Sequence, residues 1–181
     1  MIKPILQSGD PVLRTKSKDI EKIDKKILDL IKDMKDTLVV QKDPEGIGLA
    51  APQIGKNFRI FLMKPKKTGE ATVIINPKIV SIKQNQESRI KNQAKRKSDI
   101  MEGCLSLPHF YGPLTRAQKL TIEFMDENGN TKQQTFENLM AQIVLHEIDH
   151  LDGILFLDRL LEQKKPLYEF KGGEWEEIEL I

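Results

Sequence analysis

The chain holds three histidines, and two of them, His146 and His150, bracket a glutamate in the run HEIDH. On a helix, residues four apart lie only about 40° apart around the axis and about 6 Å apart along it, so both imidazoles face one point and can share a metal ion. Glu147 then lies beside that point. In this H-E-x-x-H arrangement the glutamate moves protons for water activated by the ion. The blander reading is a helix that happens to carry two histidines, and the spacing around a glutamate makes it the weaker one.

A catalytic divalent site usually takes three protein ligands and leaves one position open. Extended metallopeptidase motifs place a third histidine six residues after the second, where this chain has Phe156, so that class is excluded. A downstream glutamate is a second option, but Glu169, Glu174, Glu176 and Glu177 lie on a charged tail that reads as a solvent-facing hairpin. The third option is Cys104, the single cysteine, inside the run EGCLSLP. Taken alone, one cysteine among apolar residues is more often a small core residue. Beside HEIDH it becomes the favoured third ligand, because a thiolate binds borderline metals strongly.

These residues need elements to position them. A helix is expected from about Glu137 to Leu151, stopped by Asp152-Gly153. An amphipathic helix is expected from Asp19 to Leu38, where Ile20, Ile23, Ile27, Ile31, Met34 and Leu38 recur every three or four positions and Asp19 is the candidate N-cap. Strands are expected at Phe58 to Met63, Ala71 to Ile75, Lys78 to Ile82, Leu120 to Met125 and Thr131 to Phe136, the last two joined by the DENGN turn. The tail from Leu167 to Leu180 reads as a two-stranded hairpin turning at Gly172-Gly173. Between helix and strands, KDPEGIGLAAPQIGK is rich in Gly and Pro yet apolar, which marks a candidate binding loop.

The chain's 181 residues, 39% hydrophobic and 31% charged, fit a single globular domain and exclude collagen, low-complexity repeats and wholesale disorder. No apolar run approaches the roughly 18 residues that a membrane span needs, and the start lacks the continuous apolar stretch of a secretory signal. A net charge of +2 is far from that of a dedicated DNA binder. The charge is uneven, with six basic and two acidic residues between Lys83 and Asp99, so residues 83–99 read as a basic surface loop.

Three runs stand in order, GIGLAAPQ (46–53), EGCLS (102–106) and HEIDH (146–150), after an N-terminal GDPVLR (9–14). Together they resemble the signature motifs of the peptide deformylases, and the resemblance covers nearly the whole chain. It implies an α+β fold, a compact single domain with antiparallel strands packed around the central HExxH helix. It also implies hydrolysis of the formyl group from the N-terminal formyl-methionine of newly made polypeptides. Carried over position by position, Cys104, His146 and His150 would hold one divalent ion, Fe²⁺ in the cell, with Zn²⁺, Ni²⁺ or Co²⁺ as replacements.

Under the same resemblance Glu147 would take and return the proton, while the Gln53 amide and the Leu105 backbone N–H would face the formyl oxygen. Gly46, Ile47 and Gly48 would pair with the peptide like an added strand, with a structural turn as the alternative. Leu139 and Ile143 would line the methionine pocket, or serve as ordinary core. Glu102 and Arg116 fall where the family tends to carry an acid and a base, either an ion pair bracing the cysteine loop or a surface pair of no consequence. The expected partners are N-formylmethionyl nascent peptides, with transient ribosome contact, no membrane and a monomeric state. The expected place is a bacterial-type cytoplasm, and a mature organellar form would look the same. Two other readings compete: a different metallohydrolase using the same helix, and a catalytically silent binding protein at the ribosome.

Overall fold

The structure is a computed structural model, and it describes residues 1–42, 45–64, 69–83 and 100–179. Its elements run α1 (Lys25–Val39), β1 (Gly48–Ala50), β2 (Ile60–Met63), β3 (Thr72–Lys83), β4 (Ile100–Cys104), β5 (Leu107–Leu114), β6 (Lys119–Met125), β7 (Thr131–Glu137), α2 (Leu139–Leu151), α3 (Phe156–Gln163), β8 (Leu167–Lys171) and β9 (Glu174–Ile178). The strands form two antiparallel sheets, five-stranded in the order β1-β2-β3-β6-β7 and four-stranded in the order β4-β5-β8-β9. This is the expected α+β arrangement, with α2 packed on β1, β2 and β7 and α3 on β4 and β5.

Three apolar clusters hold it together. The amphipathic face of α1 (Ile27, Leu30, Ile31, Met34, Leu38) meets Leu49, Ile60, Leu62 and Ile75. The other face of the same strands, through Phe61, Met63 and Ile74, meets Ile143, Val144, Ile148 and Leu151 of α2. Alternation along β2 thus serves two helices at once, and all four of its residues are buried. The third cluster joins Cys104 and Leu114 to Phe156 and Leu160 of α3 and to Leu167.

The first helix begins later than expected. Asp24, not Asp19, caps α1, accepting from the Ile27 N–H at 3.0 Å. Ile20 keeps the helical spacing in sequence, but the Asn76 side chain takes its N–H and donates to its carbonyl, at 2.9 and 2.8 Å, which ties the segment alongside the sheet. The two strands expected at 71–75 and 78–82 are one bulged strand, β3, whose register shifts between Ile75 and Lys78. The shift sits at Asn76, with φ 50°, and Pro77, which cannot donate to a ladder. The DENGN hairpin and the C-terminal hairpin stand as expected, whereas β1, β4, β5 and α3 had no counterpart in the sequence reading. Of the expected basic loop, Lys83 closes β3 and residues 84–99 lie outside the described residues.

Two sheet edges face each other across the HExxH helix. β1 is the end strand of one sheet and β4 the end strand of the other, and residues of both line one pocket above α2.

Candidate active site

Cys104 ends β4 at the tip of a hairpin whose connection is the two-residue turn Leu105–Ser106. The register slips between Gly103 and Cys104, and such an irregularity re-aims the side chain beside it. The N-terminal segment pins this tip to the loop after β1: the Ser8 N–H donates to the Ser106 carbonyl and the Leu6 N–H to the Gln53 carbonyl, both at 2.8 Å. From α2, His146 and His150 reach the same point. His150 Nε2 lies 3.2 Å from Cys104 Sγ and 3.2 Å from His146 Nε2. All three ligand atoms are within 4.8 Å of one another, on buried residues.

The geometry and the donor set both fit a divalent ion. Ligand atoms held about 2.0 to 2.3 Å from a tetrahedral ion stand about 3.3 to 3.8 Å apart, close to the two 3.2 Å separations here, with the third pair within 4.8 Å. His146 donates its Nδ1–H to Glu102 Oε1 at 2.6 Å, which fixes the ring orientation and makes Nε2 the nitrogen an ion would take. One thiolate and two imidazoles suit Fe²⁺ and Zn²⁺ alike.

Electrostatics arm the same groups. Burial opposes ionisation of the Cys104 thiol, but the charge on His150 and hydrogen bonds from His146 and His150 outweigh it and bring the thiol down to about 5. Burial likewise disfavours a charged His146, yet the Glu102 carboxylate holds its pKa well above the ordinary imidazole value. Glu102 is itself kept ionised, well below the carboxylate range, because bonds from Arg116 and the charge of His146 exceed its desolvation cost. Glu147 goes the other way: burial lifts it to about 7 against the pull of both histidines. Its Oε2 is buried without a hydrogen-bond partner among the described residues, as suits a base whose partner is a water or a substrate.

Glu102 belongs to a buried network. Arg116 grips it through Nε and Nη2, at 2.7 and 2.6 Å, and reaches Asp149 with Nη1 at 2.8 Å. Gln142 donates to Glu102 at 3.0 Å, and Arg159 forks onto Asp149 at 2.6 and 3.1 Å. The Glu102 and Arg116 side chains are 6% and 8% exposed, which decides for the bracing pair and against the surface pair. The sequence reading missed Asp149, Gln142 and Arg159. Asp149 had left one signal, a second acid inside the HEIDH run, three residues after His146.

The remaining expected residues separate. Gln53 is buried; its Oε1 accepts the Ala50 N–H at 2.8 Å, so its Nε2 must face Ser106 Oγ (3.2 Å) and Cys104 Sγ (3.6 Å). Gln53, Leu105, Ile47, Gly48, Leu139 and Ile143 all line the pocket of about 240 Å³ above Glu147 and His146. Gly46 does not: a Cβ there would strike the Leu38 carbonyl, so this glycine serves the packing of α1. Gly48 lines the pocket, but its missing side chain makes room for the Glu147 carboxylate, into which a Cβ would project. The pocket is also lined by Glu45, inside the run read as a candidate binding loop, and by Met101, Gly103, Tyr111 and Gln142.

A buried Cys-His-His cluster that could hold a metal ion, beside a glutamate and opening into a cleft between two strand edges, is the arrangement of a metal-dependent hydrolase. A sequence model of the polypeptide deformylase family matches residues 2–166. The peptide deformylase of Pseudothermotoga lettingae is 39% identical over 165 residues, covering 91% of this chain and 86% of its own. The crystal structure of the Thermus thermophilus peptide deformylase is 38% identical with a TM-score of 0.75, covering 90% of this chain and 88% of that one. The Ehrlichia chaffeensis peptide deformylase, solved in complex with actinonin, gives 34% identity and a TM-score of 0.76, with 90% and 91% covered. The chain belongs to the peptide deformylase family, metal-dependent enzymes that remove the N-formyl group from nascent polypeptides. No helix among the described residues is long and apolar enough to cross a membrane.

Proposed function

We propose that Cys104, His146 and His150 hold one divalent ion, Fe²⁺ in the cell and replaceable by Zn²⁺, Ni²⁺ or Co²⁺, and that Glu147 is the proton carrier for deformylation. The observation that carries this reading is the convergence of the three ligand atoms next to a buried, unpartnered Glu147 oxygen. A bound divalent ion supplies Lewis acidity and lowers the pKa of coordinated water toward about 7. Glu147 takes the proton from the attacking water and returns it to the leaving amine, so one carboxylate serves both halves of the reaction. Burial raises its pKa to about 7, and a bound cation would pull it back down toward the proton-accepting form.

As the formyl carbon becomes tetrahedral, negative charge grows on its oxygen. The Gln53 Nε2–H₂ group, whose orientation the Ala50 N–H fixes, and the Leu105 N–H in the hairpin turn stabilise that charge. Ile143 and Leu139 hold the methionine side chain, while Ile47 and Gly48 on the β1 edge offer backbone groups to the peptide. The enzyme acts as a monomer in the cytoplasm, in transient contact with the ribosome.

Replacing Glu147 by Ala tests the assignment. Metal content should stay at one ion per chain, while formate release from formyl-Met-Ala-Ser falls by about 10²- to 10⁴-fold. Deformylation at the original rate in that variant would refute the role of Glu147.

A further inference from the structure

The four-stranded sheet has two unlike faces. Cross-strand partners point to the same side of a sheet and alternate residues to opposite sides. Gly112, Leu114 and Leu167 are on the side covered by α3, where Leu160 fills the space above Gly112. The other side carries Met101, Gly103 and Tyr111, then Tyr168 opposite Tyr111, the exposed Glu177 opposite Tyr168, and Phe170 opposite Trp175. Among the described residues nothing covers this side fully: Met101, Phe170 and Trp175 are 40%, 38% and 53% exposed.

The open face starts inside the active-site cleft. Met101, Gly103 and Tyr111 line the pocket. Gly103 lets the Tyr111 ring lie flat on the strand, since a Cβ there would come within 2.6 Å of it. Trp175 stands edge-on to Tyr111 at 5.3 Å between ring centres and meets Phe170 at 4.8 Å. The hairpin that brings Phe170 and Trp175 lies beyond residue 166, where the match to the family ends.

We propose that this aromatic face is a substrate shelf, on which Tyr111, Trp175 and Phe170 select peptides with large apolar side chains downstream of the formyl-methionine. It rests on the deformylase reading above. Its occupant follows from continuity with the pocket, because a peptide anchored by its first residue must leave past the cleft wall. From β5 to β9 is about 10 Å at the usual strand spacing, and an extended peptide advances about 3.3 Å per residue. The hairpin end of the shelf, Trp175 and Phe170, therefore meets the third and fourth residues, and a dipeptide falls short of that end.

The test compares formyl-Met-Ala, formyl-Met-Ala-Ser-Ser and formyl-Met-Ala-Leu-Phe on the metal-loaded full chain and on Trp175→Ala and Trp175→Phe. The native chain should favour the Leu-Phe peptide. Trp175→Ala should lower kcat/KM for that peptide by about 5-fold, through KM, and leave formyl-Met-Ala unchanged, while Trp175→Phe retains most of the preference. Trp175 is the only tryptophan, so its emission in Glu147→Ala protein should shift to the blue with the Leu-Phe peptide and not with formyl-Met-Ala. Equal losses on all three peptides, no loss on any, or a changed oligomeric state with the peptide preference intact would overturn the shelf while formate release continued. No formate release from any peptide by the native chain would instead overturn the deformylase reading, and the shelf with it.

Discussion

The two sides of the cleft are built on different physical terms. Behind the ligands, Glu102, Arg116, Asp149, Gln142 and Arg159 form a continuous set of buried charges and hydrogen bonds that locks His146 in place. Elsewhere in the lining, Leu139, Met101 and Tyr111 touch the pocket as apolar or aromatic groups, Leu139 and Met101 substantially exposed. The first side tolerates no missing member, because each buried charge depends on its neighbour. The second can lose a methyl group or a ring at modest cost and so is free to set specificity.

Glu102→Ala should break that contrast most severely. It strands Arg116 and the His146 Nδ1–H in a buried site, which should cost about 3 to 5 kcal/mol in denaturant unfolding. Metal affinity should fall by about 10- to 100-fold in competition titrations.

Gly48→Ala probes the point where the two sides meet. The added methyl displaces the Glu147 carboxylate, so kcat should fall by about 100-fold with metal content retained. Steady-state assays beside metal analysis would check this.

A third effect concerns protons. The thiol at about 5 is already ionised at neutral pH, whereas His146, with its pKa raised by Glu102, still carries a proton that the ion must displace. Metal uptake at pH 7 should therefore release a proton, and affinity should rise by up to about tenfold per pH unit until that imidazolium has titrated. Calorimetry in two buffers of different ionisation enthalpy would count the protons.

The smallest effect belongs to the apolar side. Leu139 is 44% exposed, so Leu139→Ala should raise KM about threefold, leave kcat alone and change stability by less than about 0.5 kcal/mol.

The same contrast governs what the sequence disclosed. The placement of His146 and His150 on one face of α2 follows from a spacing of four residues, and the β6–β7 and β8–β9 hairpins from local turn residues, so short-range pattern was enough. The α1 start was misplaced because Ile20 fits the helical period, and only the distant Asn76 decides otherwise. β5, with Pro108, Gly112 and Pro113, reads as a loop, and it becomes a strand because β4 and β8 flank it. α3 is eight residues long and was hidden in the run after Gly153, where Asp158 caps the Leu155 N–H at 2.7 Å. Gly46 and Gly48 looked alike in sequence, and the atoms above each one, Leu38 and Glu147, separate their roles. Asp149 and Arg159 could not be paired from spacing, because the loop between α2 and α3 sets their approach.

Deformylation should depend on an ion held by Cys104, His146 and His150. The most direct test is anaerobic purification with Fe²⁺, then metal quantification and product release from formyl-Met-Ala-Ser and acetyl-Met-Ala-Ser, before and after chelation. The account predicts about one ion per chain, formate from the first peptide, no acetate from the second, and loss of activity when the ion is removed. A folded chain that holds its ion and releases no formate, or that releases formate equally well after the ion is gone, would contradict it.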